Sequence, residues 1–143
     1  MESELYPFEF LVHGTPLSLQ AKNRANLESW KAKVQETGIS HREEACPGCF
    51  LDPEPLAAWI FYFAPAPIQG DVDNIVKPIL DALKGVAYLD DRQLERVTVQ
   101  KFEPETEISF VSPTKRLAEA LEAERPTVYV RISNDLRWRE VKW

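Results

Sequence analysis

Apolar and polar positions along this chain follow two periods, and the places where the period changes mark its elements. Residues Tyr6 to His13 read as a strand closed by the turn signal His13-Gly14-Thr15-Pro16. From about Asn23 to Thr37 the spacing turns helical, with Leu27, Trp30 and Val34 on one face and Gly38 as the stop. A polar loop with Cys46, Cys49 and Asp52-Pro53-Glu54-Pro55 leads to the apolar run Leu56 to Ala64, which predicts a central strand. Ala64-Pro65-Ala66-Pro67 ends that strand, because proline cannot donate to a ladder.

A second helix is predicted from about Asn74 to Leu83, capped by Asp73 or Asn74, with Pro78 in or beside its first turn and Gly85 after its end. Arg96 to Phe102 and Thr127 to Ile132 alternate with period two and predict two further strands. Between them Lys115 to Glu124 reads as a short exposed helix. Strands interrupted by helices in this order predict an α/β (α+β) domain, with helices packed on a mixed sheet. A length of 143 residues fits one such domain, with a core sufficient without disulfides or a structural metal.

Composition narrows the class. A hydrophobic share of 44% with 28% charged residues is that of an ordinary globule, and no run of about 18 apolar residues is present, so no membrane partner is expected. Met1-Glu2-Ser3-Glu4 is acidic where a secretory signal would be basic, which makes the cytoplasm the expected location. The net charge of -6 opposes binding to a polyanion, yet it is unevenly spread. Residues 51–110 hold eleven acids against five bases, and residues 111–143 hold five against seven.

That acidic middle third carries the candidate chemistry. Phosphoryl transfer with a divalent ion needs hard oxygen ligands converging on one point, because magnesium takes carboxylates and keeps its other positions for water and phosphate. On a helix starting near Asp73, Asp73, Lys77 and Asp81 share one face, while Ile75, Ile79 and Leu83 lie on an apolar one. Asp71 lies just before this helix, at the positive end of its dipole. The connection Gly85-Val86-Ala87-Tyr88-Leu89 is short enough to return Asp90-Asp91 beside the same helix. Asp71, Asp73 and Asp91 then become ligands for Mg2+, with Asp90 a further candidate metal ligand and Mn2+ the alternative ion. Lys77 would neutralise charge developing on the phosphate or the leaving oxygen. Helical spacing also allows Lys77 an ordinary ion pair with Asp73 or Asp81, worth about 0.3–0.5 kcal/mol and compatible with that role.

The string Gly70-Asp71-Val72-Asp73-Asn74-Ile75-Val76-Lys77-Pro78-Ile79-Leu80-Asp81-Ala82-Leu83, followed by Gly85 and Asp90-Asp91-Arg92-Gln93, resembles the signature of the RusA-like Holliday junction resolvases. Pro16, Ser18 and Lys22-Asn23-Arg24 are similar to a basic proline-serine stretch near the N-terminus of such proteins. The resemblance implies a RusA-like fold and a homodimer with two active sites, cutting branched DNA such as four-way junctions in a metal-dependent reaction. By the same match Asp71, Asp73 and Asp91 correspond to the catalytic carboxylates and Lys77 to the catalytic lysine.

Other readings stay open beside it. One is a protein of the same fold that binds DNA or another protein without cutting, and a further one is a phosphohydrolase acting on a small nucleotide. The C-terminal run Tyr129 to Trp143 interleaves four bases and two acids with Trp138 and Trp143. Arg137, Arg139 and Lys142, with Lys22 and Arg24 at the other end, are therefore candidate DNA contacts. The alternative is that the same aromatics pack on the sheet or on the dimer partner. Cys46-Pro47-Gly48-Cys49 could be two plain loop thiols, half of a zinc site with His41 as a third ligand, or a redox pair.

Overall fold

A computed structural model describes residues 4–143, so the acidic start of the chain, residues 1–3, lies outside the described residues. The chain forms one α+β domain around a four-stranded mixed sheet. Its strands are β1 (Phe8–His13), β2 (Leu56–Phe63), β3 (Leu94–Phe102) and β4 (Thr127–Ser133), in spatial order β1-β4-β2-β3. β4 runs antiparallel to both β1 and β2, and β2 and β3 are parallel. The helices are α1 (Arg24–Ala45), α2 (Val76–Leu83) and α3 (Lys115–Glu122). None is long and apolar enough to cross a membrane.

The period-two alternation of the strands loads both faces of the sheet. Phe8, Phe10, Val12, Ala58, Ile60, Val128, Val130 and Ile132 point to one face and join Trp30, Val34, Ile79 and Leu83 of α1 and α2 in the main core. Phe63, Phe102 and Tyr129 point to the other, where Leu117 and Ala120 of α3 close a smaller core. The exposed helix expected over Lys115 to Glu124 is thus amphipathic, with one face buried on the sheet.

α1 continues well past the predicted stop. Gly38 lies inside it and is buried, because it serves helix packing rather than termination. A Cβ there would stand 2.8 Å from Leu83 Cδ2 and 3.3 Å from Val86 Cγ1, so the missing side chain lets α2 and the turn after it lie against α1. The helix ends at Cys46 instead of before the cysteine loop. Cys46 and Cys49 are joined as a disulfide across the following turn, and His41 packs edge-on against Phe8, its ring centre 4.8 Å from that of the phenylalanine.

The predicted second helix divides in two. Val72–Ile75 forms a 3-10 turn, and the α-helix proper begins at Val76. The cap positions fall on Asp71 for the turn and Ile75 for the helix, neither with a capping side-chain hydrogen bond, so Asp73 and Asn74 lie inside the turn rather than at the cap predicted for them. Pro78 falls in the first turn of α2, and Gly85, at φ +83°, takes the left-handed conformation that lets the chain turn away after it.

Candidate active site

The β2–α2–β3 unit is a parallel crossover, and its connections place every acidic residue of interest. Pro65 to Gly70 carry the chain from the carboxyl end of β2 to Asp71, a position where α/β sheets commonly hold their ligands. That loop is tied down from outside. The Ile68 backbone N–H donates to Glu103 Oε2 at 2.8 Å, and Arg125 Nη1 donates to the carbonyl oxygens of Ala64 and Phe102 at 3.1 and 3.0 Å. The Ile68 bond, then the Lys101 ammonium, holds the Glu103 carboxyl below its usual range. Glu103 and Arg125 belong to no motif, and their positioning role is invisible until β2 and β3 lie side by side.

Asp71, just before the 3-10 turn, and Asp73, on it, are exposed, and among the described residues neither carboxylate enters an ion pair. One turn further on, Lys77 Nζ stands 2.9 Å from Asp81 Oδ1 and 3.7 Å from Asp91 Oδ2. The hydrogen bond and charge of Asp81, with those of Asp91, push the Lys77 pKa up, so the ammonium stays charged. Asp91 has its own support. The Tyr88 phenol, buried beneath it, lies 2.5 Å from the Leu80 carbonyl oxygen and 3.1 Å from Asp91 Oδ1. Burial first, then the Asp91 charge, raise the Tyr88 pKa strongly and keep the phenol a donor.

The two neighbouring aspartates point to different tasks. Asp90 Oδ1 accepts the Arg92 backbone N–H at 2.9 Å and faces the Arg92 guanidinium at 3.3 Å, capping the turn Asp91–Gln93. Gln93 is buried and fully engaged. Its Oε1 accepts the N–H groups of Leu89 and Asp90, and its Nε2 donates to the carbonyls of Asp52 and Glu54. Within Asp90-Asp91-Arg92-Gln93, then, Asp90 and Gln93 shape the turn that presents Asp91.

The candidate DNA contacts are scattered. Lys22 and Arg24 are exposed before and at the start of α1, and Lys142 is exposed in the tail. Arg137 is held by Asp135 at 2.6 Å and Arg139 by Glu95 at 2.6 Å. Trp138 is buried and donates to Glu95 at 3.0 Å, so this part of the tail packs on the start of β3.

The donors suit a hard divalent cation. Asp71, Asp73 and Asp91 offer only carboxylate oxygens, and among the described residues those of Asp71 and Asp73 have no ion-pair partner. Among the described residues no three His, Cys, Asp or Glu side chains are already gathered as a metal cluster. Magnesium does not require one, since it is commonly held by one or two carboxylates together with substrate phosphate and water. Asp71 also walls a cavity of about 450 Å³ between the segments Thr15–Ala21 and Pro65–Ile75.

A family model for endodeoxyribonuclease RusA matches residues 17–111, which include Asp71, Asp73, Lys77, Asp90 and Asp91. No curated protein matches the chain.

Proposed function

Since the chain belongs to the RusA endodeoxyribonuclease family, we propose that it is a magnesium-dependent, structure-selective nuclease that cuts branched DNA, four-way junctions first, as a homodimer in recombination and repair. The observation that carries this reading is the convergence of Lys77, Asp81 and Asp91 on one side of α2, one turn beyond the open carboxylates of Asp71 and Asp73.

In this reading Asp71 and Asp73 hold the cation, with Asp91, which stands beside Lys77, as the third carboxylate. The ion would bring positive charge to the scissile phosphate and lower the pKa of water beside it. Lys77 acts on the phosphate itself. Asp81 and Asp91 fix its ammonium in place, so its charge is already oriented when negative charge grows on the phosphoryl oxygens. Tyr88 orients Asp91 from below, and the Asp90 cap sets the turn that carries it. Lys22, Arg24 and Lys142 are free to meet backbone phosphates, whereas Arg137 and Arg139 would first exchange Asp135 and Glu95 for DNA.

The test is cleavage of a synthetic four-way junction by purified protein in magnesium. Wild type should cut, and Asp71→Asn and Asp73→Asn should each lose on the order of 10²-fold or more while changing stability by less than about 0.5 kcal/mol, because both side chains are exposed. The acidic balance of the chain, a net charge of -6, favours a second reading, a DNA- or protein-binding protein of the same fold that does not cut. Junction binding without cleavage in magnesium or manganese would select it.

A further inference from the structure

The cavity beside Asp71 is not needed to hold a cation or a phosphate, and its lining is unlike a phosphate site. Leu17, Ile68 and Ile75 give it apolar walls, Ser18, Gln69 and Asn74 give it neutral hydrogen-bonding groups, and among the described residues no lysine or arginine lines it. Among the described residues its one charged wall is the Asp71 carboxylate. An anion is therefore disfavoured, and a flat, neutral ring with donors and acceptors on its edge is favoured. Its volume of about 450 Å³ lies within the range of small-ligand pockets, about 300–1,000 Å³.

Position identifies the ring. A phosphodiester held at Asp71 leaves the sugar and base of the adjoining nucleotide next to the cavity mouth. Bases at a branch point have lost part of their stacking, so extruding one costs less there than within a duplex. Amide side chains such as Asn74 and Gln69 present a donor and an acceptor in one plane, the arrangement that reads base edges. The loop Pro65–Gly70, anchored by the Ile68 to Glu103 hydrogen bond, keeps one wall in place before substrate arrives.

We propose that this cavity receives an unstacked nucleobase flanking the scissile phosphate, and that it thereby sets where along a branch the strand is cut. The inference rests on the nuclease reading above and adds a specificity site to it. Cutting would then depend on the identity of one flanking base as well as on branching.

The test uses the full chain and four-way junctions whose cut positions have been mapped in magnesium. A single 2-aminopurine is placed beside the cut or a few nucleotides away, and fluorescence is read with the junction held by calcium. The probe beside the cut should brighten several-fold on binding, and the distant probe should not. Leu17→Trp, which fills the cavity, should abolish that rise and slow cleavage of an ordinary junction at least tenfold. On a junction made abasic at the same nucleotide, Leu17→Trp and wild type should cut at equal rates. Gln69→Ala, a change at an exposed side chain, should alter the ratio of rates among the four bases at that position by several-fold even if the tryptophan variant does not fold. Equal fluorescence at both positions, or rates indifferent to base identity and unchanged by Gln69→Ala, would overturn the inference while leaving a cutting wild type as a nuclease. A wild type that cuts no junction removes the nuclease reading, and this inference with it.

Discussion

Tyr88 is where the core of this protein touches its candidate site. Its ring is fully buried, yet its single hydroxyl reaches both the Leu80 carbonyl and Asp91. Tyr88→Phe keeps the packing and removes those bonds. It should cost about 1 kcal/mol of stability, read as a shift in the urea midpoint, and should slow cleavage several-fold through a less well held Asp91. Asp91→Asn should lose more activity than Tyr88→Phe and less stability, and the reverse order would assign the tyrosine to packing alone. At this scale the sequence is partly legible. Lys77 and Asp81 announce themselves by helical spacing, and the distance from Gly85 to Asp91 is enough to infer a return to the same helix. Tyr88 does not, because a tyrosine in the apolar stretch Val86 to Leu89 has the signature of core. Asp90 and Asp91 are equivalent by spacing and only the family resemblance singles out Asp91, whereas the conformation of the turn sends the Asp90 carboxylate to Arg92 and that of Asp91 to Lys77.

Among the elements, α1 and α2 depend on each other through Gly38. Gly38→Ala adds helix propensity worth about 1 kcal/mol, but its Cβ meets the fully buried Leu83 at 2.8 Å. Overpacking typically costs about 1–3 kcal/mol, so a net destabilisation of about 1 kcal/mol is expected in denaturant titration, and far more for Gly38→Leu. A glycine at helical spacing looks like a stop until the second helix is known to press on it, which is why the sequence ends α1 too early. The strand cores were easier to read, since each carries its alternation within itself. The tail has its own latch on β3. The Arg139 guanidinium, then the Trp138 indole, lower the Glu95 pKa from its ordinary 4.5 to about 2. A depressed carboxylate contributes its stabilisation above the unfolded value and loses it as pH falls through the folded one. The indole N–H resonance of Trp138 should therefore stay native-like at pH 4.5 and lose its shift towards pH 2. Glu95→Gln should release it at neutral pH. A Trp138 signal indifferent to both changes would show that apolar packing alone holds the tail.

For the whole molecule, charge and topology set the terms. Residues 51–110 hold eleven acids against five bases, and Asp71, Asp73, Asp81 and Asp91, beside the proposed phosphate position, are among them. Bringing phosphate close to one unpaired carboxylate costs on the order of 1–4 kcal/mol, depending on the local dielectric, and a divalent ion reverses the sign. Junction affinity at fixed ionic strength should therefore rise about tenfold or more from EDTA to calcium, and Asp71→Asn/Asp73→Asn should bind better than wild type in EDTA. Equal affinity in EDTA and calcium would place the DNA surface away from the acidic turn. The sheet order β1-β4-β2-β3 carries a further consequence, for the chain while it is being made. β4 lies between β1 and β2 but is the last strand to leave the ribosome, so the apolar Leu56–Phe63 can pair only with β3 until Thr127–Ser133 has been synthesised. A nascent chain therefore exposes one edge of its most hydrophobic strand throughout the interval in which its site residues are already present. Chaperone capture of ribosome-bound chains should peak in that interval, and no DNA should be cut before it ends.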